Sequence, residues 1–260
     1  KFHGFIYLLY FKQIFKYIFI KKLIKKNNKN TFYLNFMKIL ITGVAGFIGF
    51  KYAEFLLKKK HKIIGIDNLN NYYDVKLKKN RVQELKKFKN FKFIKLNLEN
   101  SSKLNKIFKI NRFKYVFHFA AQAGVRYAII SPRDYIKSNI NGFFNILEMT
   151  KKYKVKRLFI SSSSSVYGDE NKYPSKENFN VKPNNIYSLS KKFNEDLAES
   201  YSKFYNLNIT ALRFFTVYGE WGRPDMFYMK FIISAKNKKI LYLNNNGNHY
   251  RDFTHINDVV

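Results

Sequence analysis

The chain has no cysteine among its 260 residues. That excludes disulfides and thiolate chemistry, and a reducing cytoplasm is the location it fits. Its five histidines are scattered at positions 3, 61, 118, 249 and 255. No two of them fall at metal-ligand spacing, so a protein metal site is not expected. A long hydrophobic run is missing too. The apolar stretch that starts at Phe5 is broken by Lys12 and Lys16, well short of the roughly 20 residues a spanning helix needs. Acids are scarce, with 17 Asp and Glu against 49 Lys and Arg, a formal charge of +32. Such an excess would ordinarily suggest nucleic acid or an anionic membrane. Here Lys, Asn, Ile, Phe and Tyr are inflated together in loops, helices and strands alike, which reads as codon bias and not as a binding stripe. There is no recognition helix, zinc finger or RNP-like aromatic pair, so no specific nucleic-acid partner is expected.

Residues 1–36 hold eight lysines and no acid. They match neither the charge order of a signal peptide nor its cleavage site, and an interfacial amphipathic helix is the one membrane reading left open. Met37 leads directly into an apolar run, so the fold is expected to start there, with 1–36 outside it.

From Met37 onward, strand and helix patterns alternate. Lys38–Thr42 reads as a strand, followed without a break by Gly43-Val44-Ala45-Gly46-Phe47-Ile48-Gly49. A helix over Phe50–Lys60 and a strand over Lys62–Asp67 come next. Strand, glycine turn, helix, strand is the order of a dinucleotide-binding unit. The first glycine permits the turn, the second admits a pyrophosphate, and the third lets helix pack on strand. The helix N-terminus then faces the phosphates. A carboxylate at Asp67 suits the ribose hydroxyls of NAD and would repel the 2′-phosphate of NADP, so NAD is the expected cofactor. Helices over Val75–Lys87, Ser101–Lys109 (capped by Ser101 or Ser102), about 134–153 and 187–205 are expected. Strands over Phe91–Leu96, Tyr115–Phe119, Arg157–Ser161 and Ile209–Phe214 complete an α/β fold with a doubly wound parallel sheet. No internal repeat is evident.

The serine run Ser161–Ser165 precedes Tyr187-Ser188-Leu189-Ser190-Lys191. Tyrosine and lysine four apart share a helix face. A phenol titrates near 10, so a tyrosine base at neutral pH needs lowering by roughly 3 units, about 4 kcal/mol. A neighbouring ammonium, a cationic nicotinamide and a serine hydroxyl are expected to supply that together. His118 reads as a core histidine.

The glycine turn, Phe119-Ala120-Ala121, the serines before Val166-Tyr167-Gly168, and Tyr187 with Lys191 resemble the extended short-chain dehydrogenase/reductase family of nucleotide-sugar enzymes. Supporting segments are Asn71-Tyr72-Tyr73-Asp74-Val75, Ala120–Tyr127, Arg213–Gly219, Trp221–Met226 and Arg251–Thr254. The resemblance runs from Met37 to Val260. It implies a Rossmann-like NAD domain over 37–215 and, over 216–260, the start of a smaller substrate-binding domain, truncated at its C-terminus relative to the family. It implies a redox-neutral inversion at C4 of UDP-glucuronate, giving UDP-galacturonate through a 4-keto sugar, in a homodimer built on helices 134–153 and 187–205. Position by position it implies Ser163, Tyr187 and Lys191 as the catalytic group. Gly43, Gly46, Phe47, Ile48, Gly49, Asp67, Asn68, Asn97, Leu98, Phe119, Ala120, Ala121 and Asn139 would hold NAD, with Tyr187 and Lys191. Ser164, Ser165 and Arg223 become candidates for the sugar carboxylate, a guanidinium fork matching it bidentately. Thr216 and Arg251 fall on the substrate side, Arg251 facing the UDP diphosphate. Ser161 and Ser162 read as strand-end filler.

The sequence departs from the family at Asn97, where an Asp usually stands, although an amide oxygen still accepts from the adenine amine. Other readings stay open: a 4-epimerase of UDP-glucose or a UDP-N-acetylhexosamine, an inactive truncated NAD-binding module, or a basic surface binder. A 4,6-dehydratase would want acidic residues where Ser164 and Ser165 stand.

Overall fold

The computed structural model describes residues 37–169, 174–247 and 251–260, and the readings made for residues 1–36 lie outside them. Six strands form one sheet: β1 (Lys38–Thr42), β2 (Lys62–Asp67), β3 (Phe91–Lys95), β4 (Tyr115–His118), β5 (Arg157–Ser163) and β6 (Ile209–Phe214). Their order is β3-β2-β1-β4-β5-β6, and every neighbouring pair is parallel. The expected doubly wound α/β fold is the one observed. β1 shows why a short run can be apolar throughout: alternate side chains point to opposite faces, and helices cover both. Leu40 joins Ile64, Val116 and Leu158 on one face. Ile39 and Ile41 join Ile63 and Phe117 on the other.

The second face is closed by α1 (Phe47–Lys58), through Phe50, Ala53 and Leu57, and by Leu85 of α2 (Val75–Lys86). The first face takes Leu104 and Phe108 from α3 (Ser101–Asn111). After two single turns, α4 (Tyr127–Ile130) and α5 (Pro132–Tyr135), it also receives Phe143, Ile146 and Leu147 of α6 (Gly142–Lys152), then Ala198 and Tyr201 of α7 (Ile186–Tyr205). Each buried Leu, Ile or Phe among them contributes about 1.5–3 kcal/mol. β1 and β4 are neighbours from which the chain departs in opposite directions, so a crevice opens beyond their carboxyl ends.

Local chemistry shifts several boundaries. α1 begins at Phe47, three residues earlier than expected, because the glycine turn itself enters the helix; Gly46 caps it with extended backbone and no side-chain bond. α3 is capped by Asn100, whose side chain accepts from the Lys103 N–H, and not by Ser101 or Ser102. The helix expected over 134–153 is interrupted by a π-helical stretch, Ile136–Asn141, of the kind common at functional sites. α7 opens with a reciprocal capping box between Asn185 and Ser188. Past the sheet, the parallel pair β7 (Thr216–Tyr218) and β8 (Phe253–His255), with α8 (Phe227–Lys236) and α9 (Ile256–Val259), was not anticipated. Val217 and Ile256 pack on Phe47, which ties this region to the glycine turn. Among the described residues no helix is long and apolar enough to cross a membrane.

Candidate active site

Gly43, Gly46, Phe47, Ile48, Gly49, Asp67, Asn68, Asn97, Leu98, Phe119, Ala120 and Ala121 line one cleft, together with Ser163, Tyr187 and Lys191. β1, β2, β4, β5 and α7 therefore deliver their loop or end residues to a common space. Gly43 has φ +71°, and a Cβ there would lie 2.6 Å from the Ala120 backbone nitrogen. Only glycine lets the first turn pass that close to the end of β4. The first N–H groups of α1 carry no side-chain cap and border the cleft through Phe47, Ile48 and Gly49. That leaves them for an anion, as a pyrophosphate cradle requires.

Asp67 ends β2 with one oxygen accepting from the Ala45 N–H at 3.1 Å and the other from the Leu69 N–H at 2.8 Å. Burial pushes its pKa up, against the pull of the Leu69 N–H, Lys78, the Ala45 N–H and Arg81. Each oxygen keeps a further lone pair, enough for two ribose hydroxyls. The Asn97 amide oxygen accepts only a long bond, 3.4 Å, from the Glu99 N–H, so it retains capacity for an amine donor. The glycine cradle, uncapped helix start and terminal carboxylate thus fit a dinucleotide.

Asn139 is different. It is 1 % exposed and stands behind the cleft wall, its oxygen accepting from the Gln122 N–H at 2.7 Å and its amine donating to the Gln122 carbonyl and the Ser190 hydroxyl. The π-helical stretch carries it inward, where it fastens the β4 loop to α7 in place of the expected exposure to the cofactor.

The serines divide by strand alternation. Ser162 donates to a Glu195 oxygen at 2.5 Å, and the Ser161 carbonyl accepts from Lys191 Nζ at 2.8 Å. Neither is filler. Ser163 borders the cleft, its hydroxyl accepting from the Ser165 N–H at 3.2 Å. Ser164 and Ser165, read as carboxylate binders, line neither this cleft nor a second cavity that Arg223 also borders. β5 runs to Ser163 and then tightens into a 3₁₀ turn that Ser163 caps, which ties Ser165 back onto Ser163. His118 is buried, bonded to Thr42 at 2.8 Å and stacked on Phe143. Burial, with Lys191 nearby, pushes its pKa down to about 3, so it stays neutral.

The electrostatics of Tyr187 correct a simple expectation. Burial raises its pKa, and the Ser163 hydroxyl and the Arg223 charge only partly offset that. Lys191 Nζ lies 5.9 Å from the centre of the Tyr187 ring and points to Ser161. In the polypeptide by itself desolvation wins. Burial also pushes the Lys191 ammonium from 10.5 down to about 8. Between about pH 8 and 10.5 the unfolded chain binds more protons at this lysine than the fold does, so stability rises with pH across that window. Below about 8 the buried charge costs on the order of 3 kcal/mol. Lys191→Met is therefore expected to raise the urea midpoint of the cofactor-free protein at pH 7 and to flatten its rise toward pH 10. A lower midpoint at pH 7 would mean that the bond to Ser161 outweighs desolvation.

A second cavity, about 660 Å³, is lined by Thr216 and Arg251 with Tyr72, Asp225 and Lys230, and Arg223 borders both spaces. The Arg223 fork is engaged: Nε donates to Asp225 Oδ1 at 3.0 Å and Nη2 to Oδ2 at 2.5 Å. Sequence reading also missed two cations of α2. Lys78 Nζ donates to the Asn70 carbonyl at 2.7 Å and borders the cleft. Arg81 reaches the Ala45 carbonyl at 2.9 Å and the Tyr73 hydroxyl at 2.7 Å. The signal was present, since Lys78, Arg81, Val82 and Leu85 form the buried stripe of α2 at helical spacing.

A cradle that fits a dinucleotide, in one cleft with half-buried Ser163 and Tyr187 and buried Lys191, marks an α/β enzyme that works through a nicotinamide cofactor. Residues 39–260 match the model of the NAD dependent epimerase/dehydratase family. The chain belongs to that family, and NAD is its cofactor. It is 48 % identical over 225 residues to the protein CapI of Staphylococcus aureus, spanning 86 % of this chain and 67 % of that one. Identity to the UDP-glucuronate 4-epimerase of Thermodesulfobacterium geofontis is 43 % over 221 residues, 85 % of this chain and 68 % of the relative. The crystal structure of UDP-glucuronic acid 4-epimerase from Bacillus cereus, in complex with UDP-glucuronic acid and NAD, superposes with a TM-score of 0.82 at 34 % identity. That superposition covers 86 % of this chain and 70 % of the other.

Proposed function

We propose that this protein is an NAD-dependent nucleotide-sugar 4-epimerase acting on UDP-glucuronate and forming UDP-galacturonate. The observation that carries the reading is the meeting of Ser163, Tyr187 and Lys191 with the Gly43 turn and Asp67 in one cleft, which sets an acid/base beside a cofactor cradle. When bound, NAD⁺ supplies a centre that accepts a hydride from C4 and returns it. Tyr187 takes the proton from O4 and later restores it. Ser163 steadies the phenol by hydrogen bonding, and Lys191 supplies positive charge beside it. Gly43, Gly46 and Gly49, the α1 N–H groups, Asp67, Asn97 and Leu98 hold the cofactor, while Thr216, Arg223 and Arg251 hold the nucleotide sugar. Residues 37–215 serve as the cofactor domain, and 216–260 begin the substrate region. The names of the relatives support the sugar, and a cationic cavity wall with Arg223, Lys230 and Arg251 suits a diphosphate and an acidic sugar.

Two further parts of the proposal concern assembly and place. Ile136, Phe144, Leu189 and Phe193 are all more than two-fifths exposed, on neighbouring helical segments. Burying them against a second copy would form the homodimer. A chain without cysteine forms no disulfides and so needs no oxidising compartment, which suits the cytoplasm.

The assay incubates the full chain with NAD⁺ and UDP-glucuronate and resolves the sugars by chromatography. UDP-galacturonate is the expected product. Turnover of UDP-glucose alone would move the assignment to a neutral sugar, the outcome favoured if the internal Asp225 carboxylate fully satisfies Arg223. Silence on both from folded protein would end the epimerase reading.

A further inference from the structure

The Arg223 guanidinium carries five N–H groups in two usable edges. Asp225 takes one edge, Nε and one hydrogen of Nη2. The other edge, both hydrogens of Nη1 and the second of Nη2, is not engaged by Asp225, and Arg223 borders both the cofactor cleft and the second cavity. Asp225 is itself anchored, because Tyr72 donates its hydroxyl to Oδ2 at 3.0 Å. Burial and the adjacent Asp225 push the Tyr72 phenol up to about 12, so it remains a donor at any working pH. For Asp225, burial acts upward, but the hydrogen bonds and charge of Arg223 prevail and keep the carboxyl below its ordinary range. Tyr72 packs on Tyr127 with ring centres 4.9 Å apart. Its hydroxyl fits because residue 124 is glycine, where a Cβ would come within 2.1 Å of it. The guanidinium also lies 5.8 Å from the centre of the Tyr72 ring.

The structure assigns Asp225 and Tyr72 as positioning residues that pin Arg223 by one edge so that its outer edge selects a sugar bearing a carboxylate. This rests on the UDP-glucuronate reading. An arginine on a free stem samples many rotamers and loses that freedom when it binds. One already clamped presents a preset fork, and preorganisation of this kind raises affinity for the group that fits it. A carboxylate shared across a guanidinium is chemically sound, since each anion uses different hydrogens. A neutral hydroxymethyl group offers the outer edge no charge, so the clamp adds selectivity for the acidic sugar and leaves the shared UDP portion alone.

The test measures kcat and KM of the holoenzyme for UDP-glucuronate and UDP-glucose, and titrates both sugars by calorimetry, in wild type, Asp225→Asn and Tyr72→Phe. Asp225→Asn is expected to raise KM and Kd for UDP-glucuronate about tenfold with kcat held within about threefold, and Tyr72→Phe about threefold. Values for UDP-glucose are expected to move less than about twofold. NAD⁺ affinity and melting midpoint report on folding, and Tyr72→Phe removes a single oxygen should Asp225→Asn fold poorly. Equal losses for both sugars, or no loss for either, would overturn the positioning role while leaving the epimerase reading intact if wild type turns over UDP-glucuronate. A wild type that neither binds nor converts UDP-glucuronate would overturn both together.

Discussion

Tyr187→Phe is expected to lower turnover of the nucleotide sugar by about 10²–10⁴-fold, the span general acid–base catalysis supplies, while KM and NAD⁺ affinity stay close to wild type. The phenyl ring keeps its edge contact with Tyr135, 6.2 Å between ring centres, so the cleft keeps its shape. Lys191 keeps its bond to the Ser161 carbonyl, which does not involve the phenol. The cofactor cradle is built from the Gly43 turn and Asp67 on other strands. What disappears is a hydroxyl on which the Ser163 hydrogen bond and the Arg223 charge both act. The measurement pairs steady-state turnover with an NAD⁺ titration. Turnover within about tenfold of wild type would remove Tyr187 as the acid/base, and loss of NAD⁺ binding would recast it as a cofactor contact.

Arg81→Leu is expected to cost about 3–5 kcal/mol of folding stability, the range for breaking a buried charged network. Arg81 is fully buried. Besides Ala45 and Tyr73, its guanidinium donates to the carbonyls of Trp221 at 2.5 Å and Gly222 at 3.2 Å. It therefore links the glycine turn to a loop that lies 140 residues beyond Arg81 itself. Two effects oppose each other. Removing the charge relieves its desolvation, and Nε has no acceptor among the described residues. Against that, three carbonyls lose their donor, each worth about 1–3 kcal/mol when left buried and bare. The bonds outnumber the relief, so a net loss follows, large beside a total stability of about 5–15 kcal/mol. Urea melting reads it directly. NAD⁺ affinity is expected to fall as well, because Ala45 both holds Arg81 and donates to Asp67. An unchanged midpoint would mean that the cost of burying the cation equals everything its bonds return.

In the acid range a different pair contributes to stability. Arg213 grips Glu195 through Nε and Nη2 at 2.9 and 2.8 Å. Burial raises the Glu195 pKa, but the Arg213 and Ser162 hydrogen bonds outweigh it and the net shift is downward. The stability this pair contributes is present above the ordinary carboxylate range and is lost as pH falls through the lowered value.

Much of the site was legible because its parts are local. The glycine turn, the carboxylate at the end of the second strand and the tyrosine with a lysine one helical turn on are short-range patterns. Each is dictated by steric or hydrogen-bonding demands within a few residues. Ser163 was singled out only through the family resemblance, by its place before Val166-Tyr167-Gly168, and it does border the cleft. Geometry departs from the local pattern where an outcome depends on a distant partner. Asn139 lies on an expected helix, but a π-helical stretch turns it toward Gln122 and Ser190, 17 and 51 residues away. Ser164 and Ser165 leave the cleft because the strand ends at Ser163 and the backbone tightens there. Arg223 is a free fork on paper and a clamped one in the fold.

The sequence by itself determined the alternation of strands and helices, the two-faced apolar strands, the glycine turn of the dinucleotide cradle and the helical spacing of Tyr187 and Lys191. Hydrophobic period, glycine sterics and helical spacing operate over a handful of residues and need no knowledge of the rest. Only the tertiary structure decided how the charges are arranged: Lys191 buried against the Ser161 carbonyl, Arg81 held by three backbone carbonyls and the Tyr73 hydroxyl, and Arg223 bonded to an Asp225 that Tyr72 anchors. Desolvation and hydrogen-bond satisfaction set those states. Both depend on which groups 30 to 150 residues apart are brought into contact, and no local pattern encodes that.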